Sequence, residues 1–471
     1  MRPFQVRWQN FRSFEDTGWV SIRPLTIING PNGSGKTSLL APLLLLKQTM
    51  QAADQSLALK TRGDLFDAGS FVDVVRNHDP QQSMTLSFRK PRRPLSPSDL
   101  KPVGQYPPGE VALTFALPPD SSAPVLQQYE VLDTHGRLLL RRARSKDAKY
   151  TRKMPLLKPA QPAPSDPTAR SARLAIASQL PTRFLFTPEP VIAKIFGKEP
   201  ELRHQDSGTG VGLSVEAVQL DPSAVLYLGI VGFASAWIEA LLRAVSFIGP
   251  LRDYPRRVYV LSGEHPPHVG TRGQWAPEIV HRQRSHEPLA HVNEWISRFG
   301  FGVQLKSIQC GDDAFSIMLQ RSGGAVSHNL ADTGFGLSQV LPLIVQGFCS
   351  DPESVILAEQ PEIHLNPRLQ SLLADLFAEV ATSGRGVLLE THSEHLLLSV
   401  RRLVAAGTLR SRDVSLLYVE SSGDGSSVRE IPLHTNGHID QDMWPKGFFE
   451  DSLREALGLA AEQSKGGRDA G

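Results

Sequence analysis

Eight consecutive residues, Gly30 to Thr37, read GPNGSGKT and match the GxxxxGK[ST] pattern of a phosphate-binding loop. The preceding run PLTIIN predicts a short strand, and the following run SLLAPLLLL predicts the start of an apolar helix. A strand, a glycine-rich turn and a helix form the context that this motif requires, so a chance glycine-rich turn is the weaker interpretation.

The residue types in this loop suit a nucleoside triphosphate. Its glycines let backbone N–H groups turn toward phosphate oxygens, and the helix that follows directs its positive end to the same place. Lys36 can reach the outer phosphates, and the Thr37 hydroxyl can bind Mg²⁺. The residues predicted to contact the nucleotide, ATP or GTP, are Gly30, Pro31, Asn32, Gly33, Ser34, Gly35, Lys36, Thr37 and Ser38.

A second acid is expected near this loop, because Mg²⁺ and the attacking water both need positioning. The apolar run SVILA predicts a buried strand, and Glu359-Gln360-Pro361-Glu362 follow it directly. An apolar strand followed by acids is common on its own. Together with the upstream loop it indicates a Walker B arrangement, in which Glu359 helps to hold Mg²⁺.

Two more segments are candidates for nucleotide contacts. His392 follows another short apolar strand, RGVLLE, and could donate to a γ-phosphate or position water, although a lone histidine is usually a surface residue. Gly334 and Gly336 predict that Ser338 lies at a helix N-terminus with free N–H groups, which would form an anion site. The plainer interpretation of Ser338 is an ordinary glycine-punctuated helix start.

Composition narrows the class of protein. The 471 residues carry a formal net charge of +2, so any nucleic-acid or membrane surface must be local. Two cysteines, Cys310 and Cys349, are too few for a disulfide framework and indicate a reducing, cytoplasmic setting. The N-terminus does not contain the apolar segment that would predict a secretory signal, and the apolar runs of the chain do not predict a membrane-spanning helix.

The pattern of apolar residues predicts elements along the whole chain. The expectations are strands within 1–29, a helix or turn at 71–75, a strand at 83–88, a loop at 91–109, antiparallel strands within 110–140, a linker at 159–170, a helix at 230–247, strands at 302–309 and 314–321, and a compact α/β segment from 332 to 420.

The order of these motifs resembles the ABC-type ATPase heads of the SMC, RecF and OLD group. The segments that resemble this group are NFRSF with GPNGSGKT, EQPEIHL and ETHSEHL. Three other segments, IGPLR, DTGFGLSQ and WPKGFF, resemble prokaryotic AAA-family ATPases that have a small uncharacterised C-terminal domain. The resemblance implies an α/β fold, an ABC-type P-loop NTPase head with a mixed central sheet, an antiparallel β lobe and a helical insertion. The implied domains are 1–90 (loop-bearing lobe), 91–250 (insertion), 251–420 (second ATPase lobe) and 421–471 (small C-terminal domain with a disordered tail).

The resemblance also implies a site and an assembly. In that family two heads enclose two ATP molecules, so a homodimer is implied in which Gly33, Lys36 and Thr37 of one copy face Ser338 of the other. Thr37 and Glu359 would hold Mg²⁺. The implied catalytic group is Glu359, Gln360, Glu362 and His392, and ATP rather than GTP is favoured only by the resemblance.

Two departures from the family pattern bear on activity. The serine of the signature is present at Ser338, but the usual double glycine after it is absent. Gln360 occupies the place of the usual catalytic glutamate, and an amide can orient water but cannot accept its proton. Hydrolysis would then be slow, unless the turn after Pro361 bends Glu362 inward as a base.

Three functions remain open. The first is a hydrolysing dimer that acts on nucleic acid or on an effector such as a nuclease or toxin, and that could serve antiviral defence. The basic stretch 141–158 would be one contact with nucleic acid. The second is a non-hydrolysing switch that scaffolds a partner protein. The third, the motor subunit of a transporter, is least favoured because no coupling segment is evident. Neither an intrinsic nuclease domain nor a membrane contact is expected.

Overall fold

A computed structural model describes residues 1–54, 56–90, 108–144, 150–153, 222–283, 287–321, 324 and 326–443. The helices are α1 (Lys36–Gln51), α2 (Phe71–Val74), α3 (Pro222–Ala244), α4 (Ala276–Arg282), α5 (Glu287–Arg298), α6 (Phe335–Cys349), α7 (Pro367–Thr382) and α8 (Glu394–Ala405). The strands are β1 (Phe4–Phe11), β2 (Phe14–Asp16), β3 (Val20–Ile22), β4 (Leu25–Asn29), β5 (Met84–Arg89), β6 (Pro108–Ala116), β7 (Val125–Asp133), β8 (Leu138–Arg144), β9 (Tyr150–Lys153), β10 (Val245–Ile248), β11 (Tyr259–Val260), β12 (Val303–Gln309), β13 (Ala314–Arg321), β14 (Ser327–Asn329), β15 (Val355–Glu359), β16 (Gly386–Glu390), β17 (Val414–Ser422) and β18 (Gly425–Ile431).

The chain divides into two compact units. The first contains Met1–Pro3, Ser21–Thr37 and the described residues from Val245 onward, and the second contains Phe4–Val20 with the described residues between Ser38 and Ala244. This α/β architecture confirms the predicted fold class. The four-part domain division drawn from the sequence stays a prediction.

A mostly parallel sheet forms the centre of the first unit. Its strand order is β10-β15-β16-β4-β17-β18, with β18 antiparallel to β17 and the other pairs parallel. Strands β4 and β16 are buried along their whole length, as expected for parallel strands covered on both faces. The carboxyl ends of β15, β16 and β4 therefore meet at one edge, where the phosphate-binding loop begins.

Local signals at two helix starts explain where this sheet is covered. The Asn366 side chain accepts a hydrogen bond from the Leu369 amide, and Pro367 occupies the first position of α7. The Ser393 hydroxyl accepts from the Leu396 amide and begins α8. Each cap satisfies an amide that the helix cannot pair itself, and it fixes the chain direction immediately after a strand end.

The same unit contains a smaller antiparallel sheet, in which β13 lies between β11 and β12 and also pairs with β14. Strands β12 and β13 confirm the predictions for 302–309 and 314–321. Helices α6, α7 and α8, alternating with β15, β16 and β17, confirm the predicted α/β segment from 332 to 420.

The second unit contains an antiparallel sheet with the order β2-β1-β5-β6-β7-β8-β9. Its core includes Trp8, which is fully buried, meets the Phe88 ring edge-on at 5.4 Å between centroids and donates its Nε1–H to the Leu39 carbonyl at 2.9 Å. Strands β6, β7 and β8 confirm the antiparallel strands predicted within 110–140.

Two boundary predictions are wrong. The helix predicted for 230–247 ends at Ala244, and Val245–Ile248 forms strand β10 beside β15, because a β-branched and aromatic run gains more from burial in a parallel sheet. The loop predicted for 91–109 stops before Pro108, where β6 begins; the rest of that loop, the 159–170 linker and the C-terminal WPKGFF segment lie outside the described residues.

Within the described residues, the structure contains no helix with the length and hydropathy that crossing a lipid bilayer requires.

Candidate functional site

The phosphate-binding loop lies between β4 and α1, and its glycines are required by its backbone. Gly33 and Gly35 have φ of +75° and +101°, which side-chain-bearing residues rarely adopt. At Gly30 an added Cβ would lie 2.1 Å from the Val419 carbonyl oxygen, so the neighbouring strand leaves no space for a side chain. These constraints give the loop a backbone whose amides can turn toward an anion, although the Ser34 N–H donates to the Pro31 carbonyl at 3.3 Å.

Lys36 is folded back onto this loop. Its Nζ donates to the carbonyl oxygens of Gly30 at 3.0 Å and Pro31 at 2.7 Å, and the residue is only 4% exposed. Burial lowers the pKa of the ammonium group, and the nearby charge of Glu390 opposes that shift. The lysine charge is thus held at the loop, where phosphate oxygens could compete with carbonyls for it.

Two carboxylates lie side by side at the adjacent strand ends. Glu359 ends β15 and Glu390 ends β16, and the two residues are paired in register. The Thr37 hydroxyl donates to Glu390 Oε2 at 2.9 Å. Burial and the charge of Glu390 raise the pKa of Glu359 to about 7, and its Oε1 is buried with no hydrogen-bond partner among the described residues.

The chain reverses sharply after Glu359. Gln360 has a φ of +43°, and its N–H donates to the Glu390 carbonyl at 2.7 Å. This turn carries Glu362 inward, where it is buried and its Oε1 accepts from the His392 main-chain N–H at 2.7 Å. Glu362 therefore bends inward, which is the condition under which the sequence analysis allowed it to act as a base. One of its carboxylate oxygens, however, accepts a hydrogen bond that connects the turn to the segment after β16.

A buried arginine supports the same turn. Arg252 is 4% exposed, and its Nη2 lies 3.5 Å from the Gln360 carbonyl oxygen. Burial lowers the pKa of Arg252 to about 10, against the opposing effect of the Glu362 charge. Its Nε and Nη1 have no hydrogen-bond partner among the described residues.

His392 follows β16 with its main chain fixed by Glu362 and its side chain exposed. Partial burial and the charge of Lys36 lower the pKa of its imidazole. His392 follows the carboxyl end of β16, which is paired with β4 at the edge where the phosphate-binding loop begins.

Ser338 lies in the first turn of helix α6. Helix α6 begins at Phe335 with Gly334 as its N-cap, so Ser338 is its fourth residue. Gly336 is accommodated inside the helix instead of delaying its start. The anion contact predicted for Ser338 stays a prediction. Ser338 lines a pocket of about 390 Å³ with Tyr254, Trp275 and Pro342.

Three protein-family models match parts of this chain. One, described as "AAA domain", matches residues 5–47, which include the phosphate-binding loop. A second, described as "AAA domain, putative AbiEii toxin, Type IV TA system", matches residues 277–399, which include α6, β15 and β16. Both segments of the chain therefore resemble AAA domains. A third model, a protein of unknown function (DUF3696), matches residues 409–459 and agrees with the predicted small C-terminal domain.

Solved structures similar to this chain include heads of SMC proteins. They are an SMC head bound to the C-winged helix domain of ScpA (14% identity, 92% of this chain and 99% of that chain, TM-score 0.43), the SMC head domain from Thermotoga maritima (12%, 92% and 99%, 0.37), and an SMC head with an extended coiled coil bound to the C-terminal domain of ScpA derived from Pyrococcus furiosus (13%, 98% and 100%, 0.38). A comparison with curated proteins gave no significant match.

The candidate site contains two residues that the sequence analysis did not single out. Glu390 contacts Thr37, and Arg252 approaches the turn after Glu359. Glu390 carries the same signal that identified Glu359, a carboxylate at the end of an apolar strand, and could have been found that way. Arg252 has no comparable local signal, because only folding brings it to the turn.

The oxygen donors at the loop fit Mg²⁺ but do not form a metal site by themselves. Thr37, Glu359 and Glu390 offer a hydroxyl and two carboxylates, which are ligands that Mg²⁺ prefers. No cluster of three or more metal-binding side chains occurs among the described residues. A bound Mg²⁺ would therefore draw its remaining ligands from phosphate and water, as is common at nucleotide sites.

Proposed function

We propose that this chain binds Mg²⁺–ATP at residues 30–37 and hydrolyses the bond between the β- and γ-phosphates. The observation that carries the proposal is the convergence of Thr37, Glu359 and Glu390 beside a glycine-constrained phosphate loop. These oxygen donors suit Mg²⁺, and the loop amides and Lys36 suit the phosphates that would complete its coordination.

The proposed roles follow from where each group is held. Lys36 exchanges the loop carbonyls for phosphate oxygens when nucleotide enters. His392 contacts the γ-phosphate, because its side chain is accessible and within the influence of the lysine charge. Gln360 orients the attacking water. Bound Mg²⁺ would neutralise charge that develops on the phosphates.

We propose further that two copies associate around nucleotide, with Ser338 of one facing the loop of the other. The accessible pocket beside Ser338 supports this arrangement. The dimer would couple its nucleotide state to nucleic acid or to an effector such as a nuclease or toxin, in prokaryotic defence. The description of the model that matches residues 277–399 names a putative toxin of a toxin–antitoxin system, which supports a role in prokaryotic defence.

The basic stretch 141–158 gives weaker support for nucleic acid. Within its described part, Arg141 is paired with Glu130, and Arg142 is buried. Glu130 thus partly neutralises the exposed Arg141, and the buried Arg142 adds no charge to the surface.

Calorimetric titration and steady-state turnover test this function together. The unmodified chain should bind ATP more tightly with Mg²⁺ than with EDTA and should release phosphate. Lys36→Ala should lose most of both activities, since it removes the charge at the outer phosphates. The absence of any triphosphate binding, with or without Mg²⁺, would refute the proposal.

A second candidate is a switch that binds ATP, associates and hydrolyses slowly or not at all. The observation that favours it is that Gln360 occupies the turn after Glu359, while Glu362 is engaged with the His392 N–H. If Glu362 is the base, Glu362→Gln should abolish turnover and leave ATP binding intact. Turnover of the unmodified chain no higher than that of Lys36→Ala would favour the switch.

A further inference from the structure

Glu390 connects the phosphate loop to the turn after Glu359. Its side chain accepts the Thr37 hydroxyl hydrogen at 2.9 Å, and its carbonyl oxygen accepts the Gln360 N–H at 2.7 Å. The residue is 6% exposed, at the end of a strand lying between β15 and β4. A movement of Glu390 would therefore disturb both the Thr37 hydroxyl and the backbone turn at Gln360.

The hydrogen bond to Thr37 fixes the direction of the threonine oxygen. A hydroxyl has one proton and two lone pairs, so donation to Glu390 leaves the lone pairs directed elsewhere. Carboxylates that hold a ligand's proton in this way orient the ligand and increase its basicity at metal sites. Glu359, in register on the neighbouring strand, carries a buried and unpartnered Oε1 beside this arrangement.

We propose that Glu390 is the positioning residue for the metal ion of the nucleotide complex. Its carboxylate accepts the Thr37 hydroxyl proton, so that the lone pairs of the threonine oxygen are available to a bound Mg²⁺. This inference rests on the proposed function, because it concerns the metal that accompanies the nucleotide. The sequence analysis did not predict any metal-positioning residue at the end of β16.

A purely structural role for Glu390 makes different predictions. If the carboxylate served only to satisfy Thr37, its replacement would lower stability and affect ATP binding equally with and without metal. A positioning role affects only the part of the binding that requires metal. The dependence on Mg²⁺ concentration therefore separates the two.

The experiment measures ATP affinity by calorimetry in EDTA and then across a series of Mg²⁺ concentrations. Glu390→Gln should keep its ATP affinity in EDTA. It should need about tenfold more Mg²⁺, or more, to reach half of the full Mg²⁺-dependent increase in ATP affinity, as expected when a carboxylate that orients a metal ligand is lost. Thr37→Ala should show a similar defect. The double variant should be no worse than Thr37→Ala alone, since Glu390 acts through Thr37.

Glu278→Gln provides a matched control. Glu278 is also a buried carboxylate of the same unit, but it pairs with Arg282 instead of approaching the loop. Its replacement should leave the Mg²⁺ requirement unchanged. Electron paramagnetic resonance of Mn²⁺ bound with ATP gives an independent readout, in which Glu390→Gln should shift the spectrum and Glu278→Gln should not.

The outcomes distinguish this inference from the function on which it rests. An unchanged Mg²⁺ requirement in Glu390→Gln overturns the positioning role and leaves ATP binding intact. Equal losses in EDTA and in Mg²⁺ overturn it in favour of the structural role. If Glu390→Gln does not fold, Glu390→Asp carries the same test, because it keeps the charge and moves the carboxylate away from Thr37. Failure of the unmodified chain to bind ATP refutes the proposed function instead.

Discussion

Glu359 is held in an environment that disfavours its charge. Burial and the neighbouring Glu390 raise its pKa to about 7 from an ordinary value of 4.5. An acid whose pKa is higher in the folded state retains its proton there while the unfolded chain releases it, so stability is present below pH 4.5 and is lost as pH rises through 7. The raised pKa values of Glu390 and Glu362 act in the same direction.

The first prediction is that Glu359→Gln removes part of this pH dependence. Without nucleotide and in EDTA, the unmodified chain should lose up to about 3 kcal/mol of unfolding free energy from this group between pH 5 and pH 8. The variant should be more stable than the unmodified chain at pH 8 and similar to it at pH 5, as measured by urea denaturation. Equal pH slopes in the two proteins would contradict the environment described for Glu359.

The second prediction concerns two glycines of the loop. Gly30→Ala places a Cβ 2.1 Å from the Val419 carbonyl oxygen, whereas Gly33→Ala meets no atom within 4 Å and is strained only by its φ of +75°. Gly33→Ala should cost about 1–2 kcal/mol of stability. Gly30→Ala should cost clearly more, because backbone must move. Thermal unfolding of both variants checks this order, and a larger loss for Gly33→Ala would contradict it.

At the scale of elements, the turn after β15 determines what chemistry is available. Its backbone bends at Gln360, and contacts with Glu390 and Arg252 hold the bend. A residue with φ near +43° persists only where its surroundings fix it, so the side chain at position 360 is presented in one direction. Under the proposed function, the identity of that side chain, rather than its placement, would limit hydrolysis.

The third prediction follows from this turn. Gln360→Glu introduces a group that can accept a proton from water and should raise the ATP turnover number at least about tenfold. The same change adds a fourth carboxylate near Glu359, Glu362 and Glu390, so stability without Mg²⁺ should fall. Phosphate release and thermal unfolding measure the two effects. Unchanged turnover would mean that another group already accepts the proton.

The elements around the site could largely be predicted from the sequence, because each depends on signals close in the chain. Apolar runs bounded by glycine or acids identified β4, β15 and β16, and the loop motif identified the start of α1. The boundary at Ala244 could not be found this way, since Val245–Ile248 suits a helix or a strand until its partner β15 is known.

The contacts of the site depended on long-range pairing and could not be predicted in detail. Thr37 and Glu390 are 353 positions apart, and their hydrogen bond requires β16 to lie directly beside β4. The inward bend of Glu362 requires a positive φ at Gln360, which nothing in the residue type indicates. Residue types therefore predicted which groups converge, while the sheet order determined which of them touch.

For the whole molecule, the central question is whether one chain completes its own site. Ser338 is the fourth residue of α6 and lines a pocket, so a longer side chain there has space to extend. Ser338→Glu should keep ATP binding by a single copy, because the phosphate loop is unchanged. It should prevent association around nucleotide, since its charge would repel the phosphates held by a second copy.

The last prediction uses the symmetry of such a pair. Lys36→Ala removes the loop lysine, Ser338→Glu removes the opposing serine, and each variant alone should be inactive. In an equal mixture half of the pairs are mixed, and each mixed pair has one intact site, so about a quarter of the normal turnover should return. Turnover in the mixture no greater than the mean of the separate variants would show that sites are not shared between copies. Sedimentation with ATP and Mg²⁺ then distinguishes pairs that form without sharing a site from chains that remain single.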